Sequence, residues 1–178
     1  MTDKSNEKAI TYISYLKVDE LLELQQPESD GEHDEMLFIV IHQTYELWFK
    51  QILHEIAELQ RTLEHGETHR SLAILGRVRT IMKTCVGQLD ILETMTPLQF
   101  NTFRGRLQSA SGFQSAQFRE LEAVLGRRDQ AGAGAEKHTG MGMAEHLIEG
   151  SPARARVEAA MARPSLWDST LRYLASRG

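Results

Sequence analysis

Hydrophobic positions recur along this chain at the three- and four-residue spacing of an α-helix, and no segment keeps the every-second-residue alternation of a half-buried strand. The pattern predicts a first helix over about 8–26, which Pro27 and the polar run PESDGEHD end. A long helix follows over about 34–64, with Gly66 placed to stop it, and another over about 68–95. Because a short turn joins the two long helices, we expect an antiparallel pair.

The second half of the chain is also predicted to be helical. Thr96 and Pro97 suit the start of a helix over about 97–107. After the connection QSASGFQS, the segment FRELEAVLG resumes a helix that ends at Gly126.

Residues 127–141 are polar and rich in glycine, which is typical of a flexible loop. Two or three shorter helices follow, divided by Pro152 and Pro164. The chain is therefore predicted to be a single all-α domain over 1–178, a helical bundle built on two long antiparallel helices.

Composition narrows the class of protein. The chain has 178 residues, 41% of them hydrophobic and 25% charged, as in an ordinary globular domain. A net charge of -5 argues against nucleic acid as a partner, since phosphates attract clustered Lys and Arg. No signal-peptide core or apolar run of roughly 20 residues is present, so we expect a cytoplasmic protein with no membrane partner. The single cysteine, Cys85, excludes an internal disulfide and a thiolate-rich metal site, and is expected in the core.

The segment EMLFIVIHQTYELWFK, residues 35–50, places one histidine inside an unusually apolar stretch. Its helical spacing gives two adjoining apolar stripes, which are Phe38, His42, Tyr45 and Phe49, and then Leu37, Ile41, Thr44 and Trp48. A helix that is apolar on adjoining faces is expected in the middle of a helical domain. The stripe with His42 is a candidate wall of a ligand pocket. A core histidine that is hydrogen-bonded to a backbone carbonyl is the alternative, and the spacing leaves both open.

An arginine follows on another apolar helix face, in FNTFRGRL at residues 100–107. Phe100, Arg104 and Leu107 share that face, so a guanidinium lies in a poorly hydrated wall, where it is suited to a bidentate grip on a carboxylate. The alternative is an arginine whose stem packs while its head reaches water or pairs with an internal glutamate.

The segment SASGFQS, residues 109–115, places three serines and a glycine around a helix start. Backbone N–H groups at such a start can hold an anionic or carbonyl oxygen, and a plain turn with a serine cap is equally compatible. The sequence contains no glycine-rich phosphate loop, nucleophile elbow or HExxH zinc motif. His65 and His69 straddle Gly66, and the polar cluster at 32–35 is interpreted as helix capping and dipole compensation.

Three long motifs, LFIVIHQTYELWFKQILHE, LETMTPLQFNTFRGRL and SASGFQSAQFRELE, resemble the tryptophan 2,3-dioxygenase family in the family's own order. The resemblance covers roughly residues 10–126 and returns more weakly at ARPSLWDSTLRYLASRG. It implies an all-helical enzyme with haem b and its iron, usually a homotetramer. Such an enzyme inserts both atoms of O₂ across the indole 2,3-bond of L-tryptophan to give N-formyl-L-kynurenine, a step of tryptophan catabolism in the kynurenine pathway.

The resemblance implies roles for individual residues. His42 matches the catalytic distal histidine that hydrogen-bonds the indole N–H, and Phe38 matches a hydrophobic contact to the substrate ring. Arg104 matches the clamp on the substrate carboxylate, and Phe100 an aromatic residue that packs on the substrate.

Further matches concern the cofactor and a neighbouring subunit. Ser111 and Gly112 fall in the family's loop beside the haem. Residues of the segment TYISYL match those that one subunit contributes to its neighbour's active site, namely Tyr12, Tyr15 and Leu16. The resemblance therefore implies that oligomerisation completes the site.

The family continues beyond Gly178, and its remaining part holds the proximal histidine that ligates the haem iron and a Gly- and Thr-rich loop that meets the substrate ammonium. We therefore expect a domain that is incomplete relative to the family, with no axial ligand of its own, because neither His138 nor His146 has an apolar frame resembling a haem seat. Two alternatives to the dioxygenase are a non-catalytic relative that keeps the scaffold to bind indole amino acids or another protein, and a haem enzyme that inserts a single oxygen atom.

Overall fold

A computed structural model of the chain describes residues 10–107, 112–127 and 147–178. Every regular element in these ranges is helical, which confirms the all-α prediction. In chain order the helices are α1 (Tyr12–Leu16), α2 (Val18–Leu22), α3 (His33–Glu64), α4 (Thr68–Leu92), α5 (Pro97–Arg104), 3₁₀ turns at Gly105–Leu107 and Gly112–Gln114, α6 (Ala116–Leu125), α7 (Pro152–Ala162) and α8 (Leu166–Ala175). The predicted loop over 127–141 lies outside the described residues, apart from its first position.

The two long helices form the predicted antiparallel pair. Hydrogen bonds join Tyr45 to the Cys85 carbonyl, Glu55 to Arg77 and Thr62 to Ser71, so residue numbers rise along α3 as they fall along α4. The turn between them closes at Gly66, whose φ of +70° lies in the left-handed region that glycine adopts without a steric penalty.

The main hydrophobic core lies along the carboxyl-terminal half of α3. Its buried members are Ile52, Ile56, Leu59 and Leu63 of α3, Ile74, Val78 and Ile81 of α4, and Leu121 of α6. Helix α3 also contacts α5 and α8, so it has neighbours on several sides. The expected central position of this helix is therefore confirmed.

Helix ends follow the capping signals in the sequence. Thr96 accepts a hydrogen bond from the Gln99 amide while the Gln99 side chain reaches back to Thr96, and Pro97 occupies the first turn. Helix α6 ends at Gly126, as predicted, where φ is +120°. Pro152 begins α7 and Pro164 separates α7 from α8.

The single helix predicted over 8–26 is wrong. A capping box between Thr11 and Ser14 starts α1, and Lys17, at φ +55°, ends it in a left-handed conformation before α2 begins. Helices α1 and α2 contact each other and no other described element. Apolar periodicity predicted one helix, but helices this short need tertiary packing to persist, and neither of them buries a residue.

The capping role predicted for the polar cluster at residues 32–35 is wrong, although Asp34 and Glu35 lie in the first turn of α3, as dipole compensation requires. Glu32 is the N-cap residue of α3 but makes no side-chain cap bond, while Glu35 is only 1% exposed. The Glu35 carboxylate accepts hydrogen bonds from the backbone N–H groups of Glu28 and Ser29, both at 2.9 Å, and from the Ser29 hydroxyl. It therefore fastens the preceding loop to the start of α3.

Within residues 10–107, 112–127 and 147–178, none of the helices combines the length and apolarity that crossing a bilayer requires.

Candidate functional site

The stripe Phe38, His42, Tyr45 and Phe49 of α3 borders a largely apolar cavity of about 730 Å³. Helix α4 supplies the facing wall, and the 3₁₀ turn with the start of α6 closes one side. The other lining residues are Glu46, Cys85, Val86, Leu89, Gly112, Gln114, Ser115 and Phe118. The apolar stripe that continues as core farther along α3 is here half-buried around open space.

His42 makes a hydrogen bond that fixes the role of each ring nitrogen. Its Nδ1 lies 2.7 Å from the carbonyl oxygen of Phe38, one turn earlier on α3. Because a carbonyl oxygen only accepts, Nδ1 carries the proton, and in the neutral imidazole Nε2 is left as an acceptor. His42 also borders the cavity. The two alternatives that the sequence left open therefore both apply, because His42 is hydrogen-bonded to a backbone carbonyl and also lines a pocket.

Three phenylalanines pack together beside His42. The ring centroid of Phe38 lies 4.1 Å from that of His42 and 5.6 Å from that of Phe100. Phe103 completes the group at 5.4 Å from Phe100 and 5.7 Å from Phe38, and it is fully buried. The sequence predicted Phe38 and Phe100 but missed Phe103, although its place three residues after Phe100 in an amphipathic helix is a usable signal.

Arg104 is the last residue of α5, and its guanidinium carbon lies 5.9 Å from the centroid of the Phe100 ring. A guanidinium over an aromatic face is held by the ring's negative charge density. Phe100 in turn contacts Phe38, so Arg104 lies on the Phe38 side of the cavity without being one of its lining residues. The structure thus brings Phe38, His42, Phe100 and Arg104 into one chain of contacts.

The serine- and glycine-containing connection is only partly described. Ser111 lies outside the described residues, whereas Gly112 borders the cavity. Ser115 also borders the cavity and is the N-cap of α6, accepting a hydrogen bond from the Phe118 amide at 3.1 Å.

A carboxylate that the sequence interpretation overlooked lies on the same wall. Glu46 follows His42 by one turn of α3. Its Oε1 accepts from the Ser115 hydroxyl at 2.5 Å, and its Oε2 accepts from the Gln117 amide nitrogen at 2.8 Å. An acidic residue within so apolar a stretch was the available signal.

Two further titratable groups on the cavity wall are kept neutral by burial. The Tyr45 hydroxyl donates to the Cys85 carbonyl oxygen at 2.9 Å. Burial, with a smaller contribution from Cys85, raises the pKa of Tyr45, and burial also raises the pKa of the Cys85 thiol. Cys85 packs on the core as expected but borders the cavity as well, and its raised pKa makes it a poor nucleophile at neutral pH.

The structure does not bring α1 to the cavity of its own chain. Tyr12 and Tyr15 are 75% and 73% exposed, and Leu16 is also exposed. Their predicted role in a neighbouring subunit therefore stays a prediction.

Comparison with known proteins identifies similar chains. The family profile of tryptophan 2,3-dioxygenase matches residues 1–148. The tryptophan 2,3-dioxygenase of Anaeromyxobacter sp. (strain K) is 58% identical over 179 residues, which cover 100% of this chain and 63% of the relative. That of Herpetosiphon aurantiacus is 54% identical over 172 residues, covering 96% and 62%, and that of Caulobacter vibrioides is 43% identical over 169 residues, covering 95% and 60%. The chain thus spans about three fifths of the length of these curated relatives.

Proposed function

The chain belongs to the tryptophan 2,3-dioxygenase family, and from that premise we propose that it carries the substrate side of a haem-dependent dioxygenase that converts L-tryptophan and O₂ to N-formyl-L-kynurenine. The observation that carries this proposal is the imidazole of His42, which presents a fixed acceptor on an aromatic cavity with a guanidinium beyond it. An indole amino acid has the matching parts, namely an N–H donor, a flat apolar ring and a carboxylate.

His42 orients the indole ring through one hydrogen bond. Its Nδ1–H is held by the Phe38 carbonyl, so Nε2 is free to accept the indole N–H as long as the imidazole stays neutral. The same bond restrains the rotation of the ring. His42 then acts by orientation, and a strong base at this position is unnecessary.

Aromatic side chains and Arg104 hold the rest of the substrate. The Phe38 ring, packed between His42 and Phe100, offers an apolar face to the indole and excludes water. The Arg104 guanidinium, planar and permanently charged, suits a bidentate grip on the carboxylate. Because Arg104 lies on the Phe38 side, the amino-acid part of the substrate points toward α5.

The cavity walls fit one face of haem b. Flat aromatic and aliphatic side chains border a space of about 730 Å³, and Gly112 adds no side chain there. Three of the described lining residues belong to types that can ligate haem iron, namely His42, Tyr45 and Cys85. The Nε2 of His42 is assigned to the indole, and Tyr45 and Cys85 keep their protons. These residues would hold the oxygen-binding side of the macrocycle without ligating its iron. Bound haem would supply the activation of O₂.

We propose a homotetramer in which α1 completes a neighbour's site through Tyr12, Tyr15 and Leu16, and the exposed apolar side chains of the amino-terminal segment support such an interface. Residues just after α2 are fastened to α3, because the Gln43 amide donates to the Leu24 carbonyl at 2.9 Å and Glu35 holds Ser29. Beyond that anchor, α1 exposes apolar side chains to solvent. Large exposed apolar groups of this kind are typical of protein interfaces.

Ligand and cofactor titrations of the 178-residue protein test the proposal. We expect calorimetry to detect L-tryptophan binding and added haemin to give an absorption spectrum that responds to CO. Arg104→Ala should weaken L-tryptophan binding by about 2 kcal/mol, or roughly thirtyfold, as expected for the loss of a charged hydrogen-bond partner. Arg79→Ala, an exposed arginine of α4, is the matched control and should bind as the wild type does.

The outcomes separate the candidate functions. Formation of N-formyl-L-kynurenine supports the dioxygenase. Binding of L-tryptophan without a haem spectrum or product favours the alternative of an indole-amino-acid-binding module for this chain. Absence of tryptophan binding, or equal affinity in Arg104→Ala and wild type, would refute the assigned substrate site.

A further inference from the structure

One carboxylate joins the two sides of the cavity, and we propose that Glu46 is a positioning residue that sets the place of the 3₁₀ turn Gly112–Gln114 opposite α3. The inference rests on the proposed function for its ligand, an indole amino acid. It adds a residue that shapes the binding site through other residues, without contact between Glu46 and the substrate.

The hydrogen bonds around Glu46 form a directed chain. The Phe118 amide donates to Ser115 Oγ at 3.1 Å, and the Ser115 hydroxyl donates to Glu46 Oε1 at 2.5 Å. A hydroxyl can accept one hydrogen bond while it donates another, so Ser115 caps α6 and binds the carboxylate at the same time. Such a chain polarises itself, which strengthens each bond in it.

Gln117 makes the attachment two-pronged. Its side-chain amide nitrogen donates to Glu46 Oε2 at 2.8 Å and to the Glu46 backbone carbonyl at 2.9 Å, which uses both protons of that nitrogen. Glu46 therefore fixes the start of α6 on α3 in both position and rotation.

The same attachment reaches the cavity wall. The Ser115 amide donates to the Gly112 carbonyl at 3.2 Å, which ties the 3₁₀ turn to the residue that Glu46 holds. Gly112, Gln114, Ser115 and Phe118 border the cavity, and the Phe118 ring lies 5.4 Å from that of Phe49. The position of Ser115 therefore determines where the 3₁₀ turn and the start of α6 lie in the cavity wall.

Glu46→Gln is the informative substitution because it keeps the size of the side chain. An amide group at residue 46 has one acceptor oxygen where the carboxylate has two, so it can accept from Gln117 or from the Ser115 hydroxyl but not from both. It also carries no charge, so the charge-assisted bonds are lost and the attachment should weaken even though the volume is almost unchanged. Glu64→Gln, an exposed glutamate at the other end of α3, is the matched control for loss of one charge.

Two measurements on the full 178-residue chain test the inference. In Glu46→Gln, amide hydrogen exchange read by NMR should become about tenfold faster at Ser115 and Phe118 and stay unchanged at Ile56 and Val78. At a temperature where the variant remains folded, its affinity for L-tryptophan should fall roughly fivefold. Ser115→Ala should reproduce both effects. Ser115→Thr keeps a hydroxyl and should behave as the wild type does. The double variant Glu46→Gln with Ser115→Ala should show effects no larger than those of the more severe single variant.

Other results overturn it. Unchanged exchange at Ser115 and Phe118 in Glu46→Gln would show that Glu46 does not hold the turn. A lower melting temperature with unchanged L-tryptophan affinity would make the role purely structural. If the wild-type chain itself fails to bind L-tryptophan, the proposed function falls, while the exchange measurement still decides whether Glu46 fixes the turn.

Discussion

Both halves of α3 carry an apolar stripe, but the two stripes have different surroundings. In the carboxyl-terminal half, Ile52, Ile56 and Leu59 are buried by α4 and α6 in the main core. In the amino-terminal half, Phe38, His42 and Tyr45 line a cavity and stay half-buried. One helix therefore serves as a core element at one end and as a cavity wall at the other.

The two halves differ in how closely neighbouring helices pack against their apolar stripes. Aliphatic side chains in the carboxyl-terminal half interdigitate with those of α4, which gives close packing and stability. The amino-terminal half places flat rings around a space that neighbouring helices leave unfilled. Apolar surface that is not used for folding is available for binding a ligand, and this is the half that carries the candidate site.

The largest expected effect comes from removing core volume. Ile56 is 0% exposed, so Ile56→Ala should lower the free energy of unfolding by about 2 to 5 kcal/mol, as measured by urea denaturation. The affinity of the folded protein for L-tryptophan should stay unchanged. Leu47→Ala, at an exposed position of the same helix, should change stability by less than about 0.5 kcal/mol. A comparable loss at both positions would remove the distinction between core and surface in α3.

Sequence periodicity predicted the fold well where helices pack on one another. The bounds of α3 and α4 and the stops at Gly66 and Gly126 follow from the apolar spacing and from glycine's access to positive φ. The first helix was mispredicted because Lys17 adopts a left-handed conformation that its residue type does not suggest. Packing decides such breaks, and α1 and α2 pack on no other described element.

The site was predictable where it lies on one helix face and not where it depends on distant contacts. The stripe from Phe38 to Phe49 follows from helical geometry alone. The role of Glu46 depends on Ser115 and Gln117, which lie about 70 positions later in the chain, and no local pattern encodes that meeting. Such long-range contacts appear only once the helices are assembled.

A second prediction concerns how the amino-terminal half is anchored. Burial, the largest single influence on the Glu35 carboxyl, raises its pKa, but hydrogen bonds from Ser29 and Glu28 and the charge of Arg106 together outweigh burial and lower it below the ordinary 4.5. The folded state therefore binds a proton less readily than the unfolded state. Stability from Glu35 is present above pH 4.5 and is lost as the pH falls through the lowered pKa.

Urea denaturation as a function of pH measures this contribution. The wild type should lose stability more steeply below pH 4.5 than Glu35→Gln does, because the amide cannot be protonated in this range. Glu32→Gln, at an exposed neighbouring position, should retain the wild-type slope. Parallel curves for wild type and Glu35→Gln would mean that the loop is held without the charge, and that both halves of α3 rely on apolar packing.

The smallest effect should appear at His42, and it addresses the use of the cavity directly. His42→Phe keeps an aromatic ring but removes Nε2, so L-tryptophan should bind about 1 kcal/mol more weakly, or roughly fivefold, for one neutral hydrogen bond. The ligand 1-methyl-L-tryptophan has no indole N–H to donate, so calorimetry should find little difference between wild type and variant for it. An equal loss for both ligands would show that His42 contributes shape alone. A loss confined to L-tryptophan would mean that the amino-terminal half of α3, unlike the carboxyl-terminal half, recognises its partner by a directed hydrogen bond as well as by apolar contact.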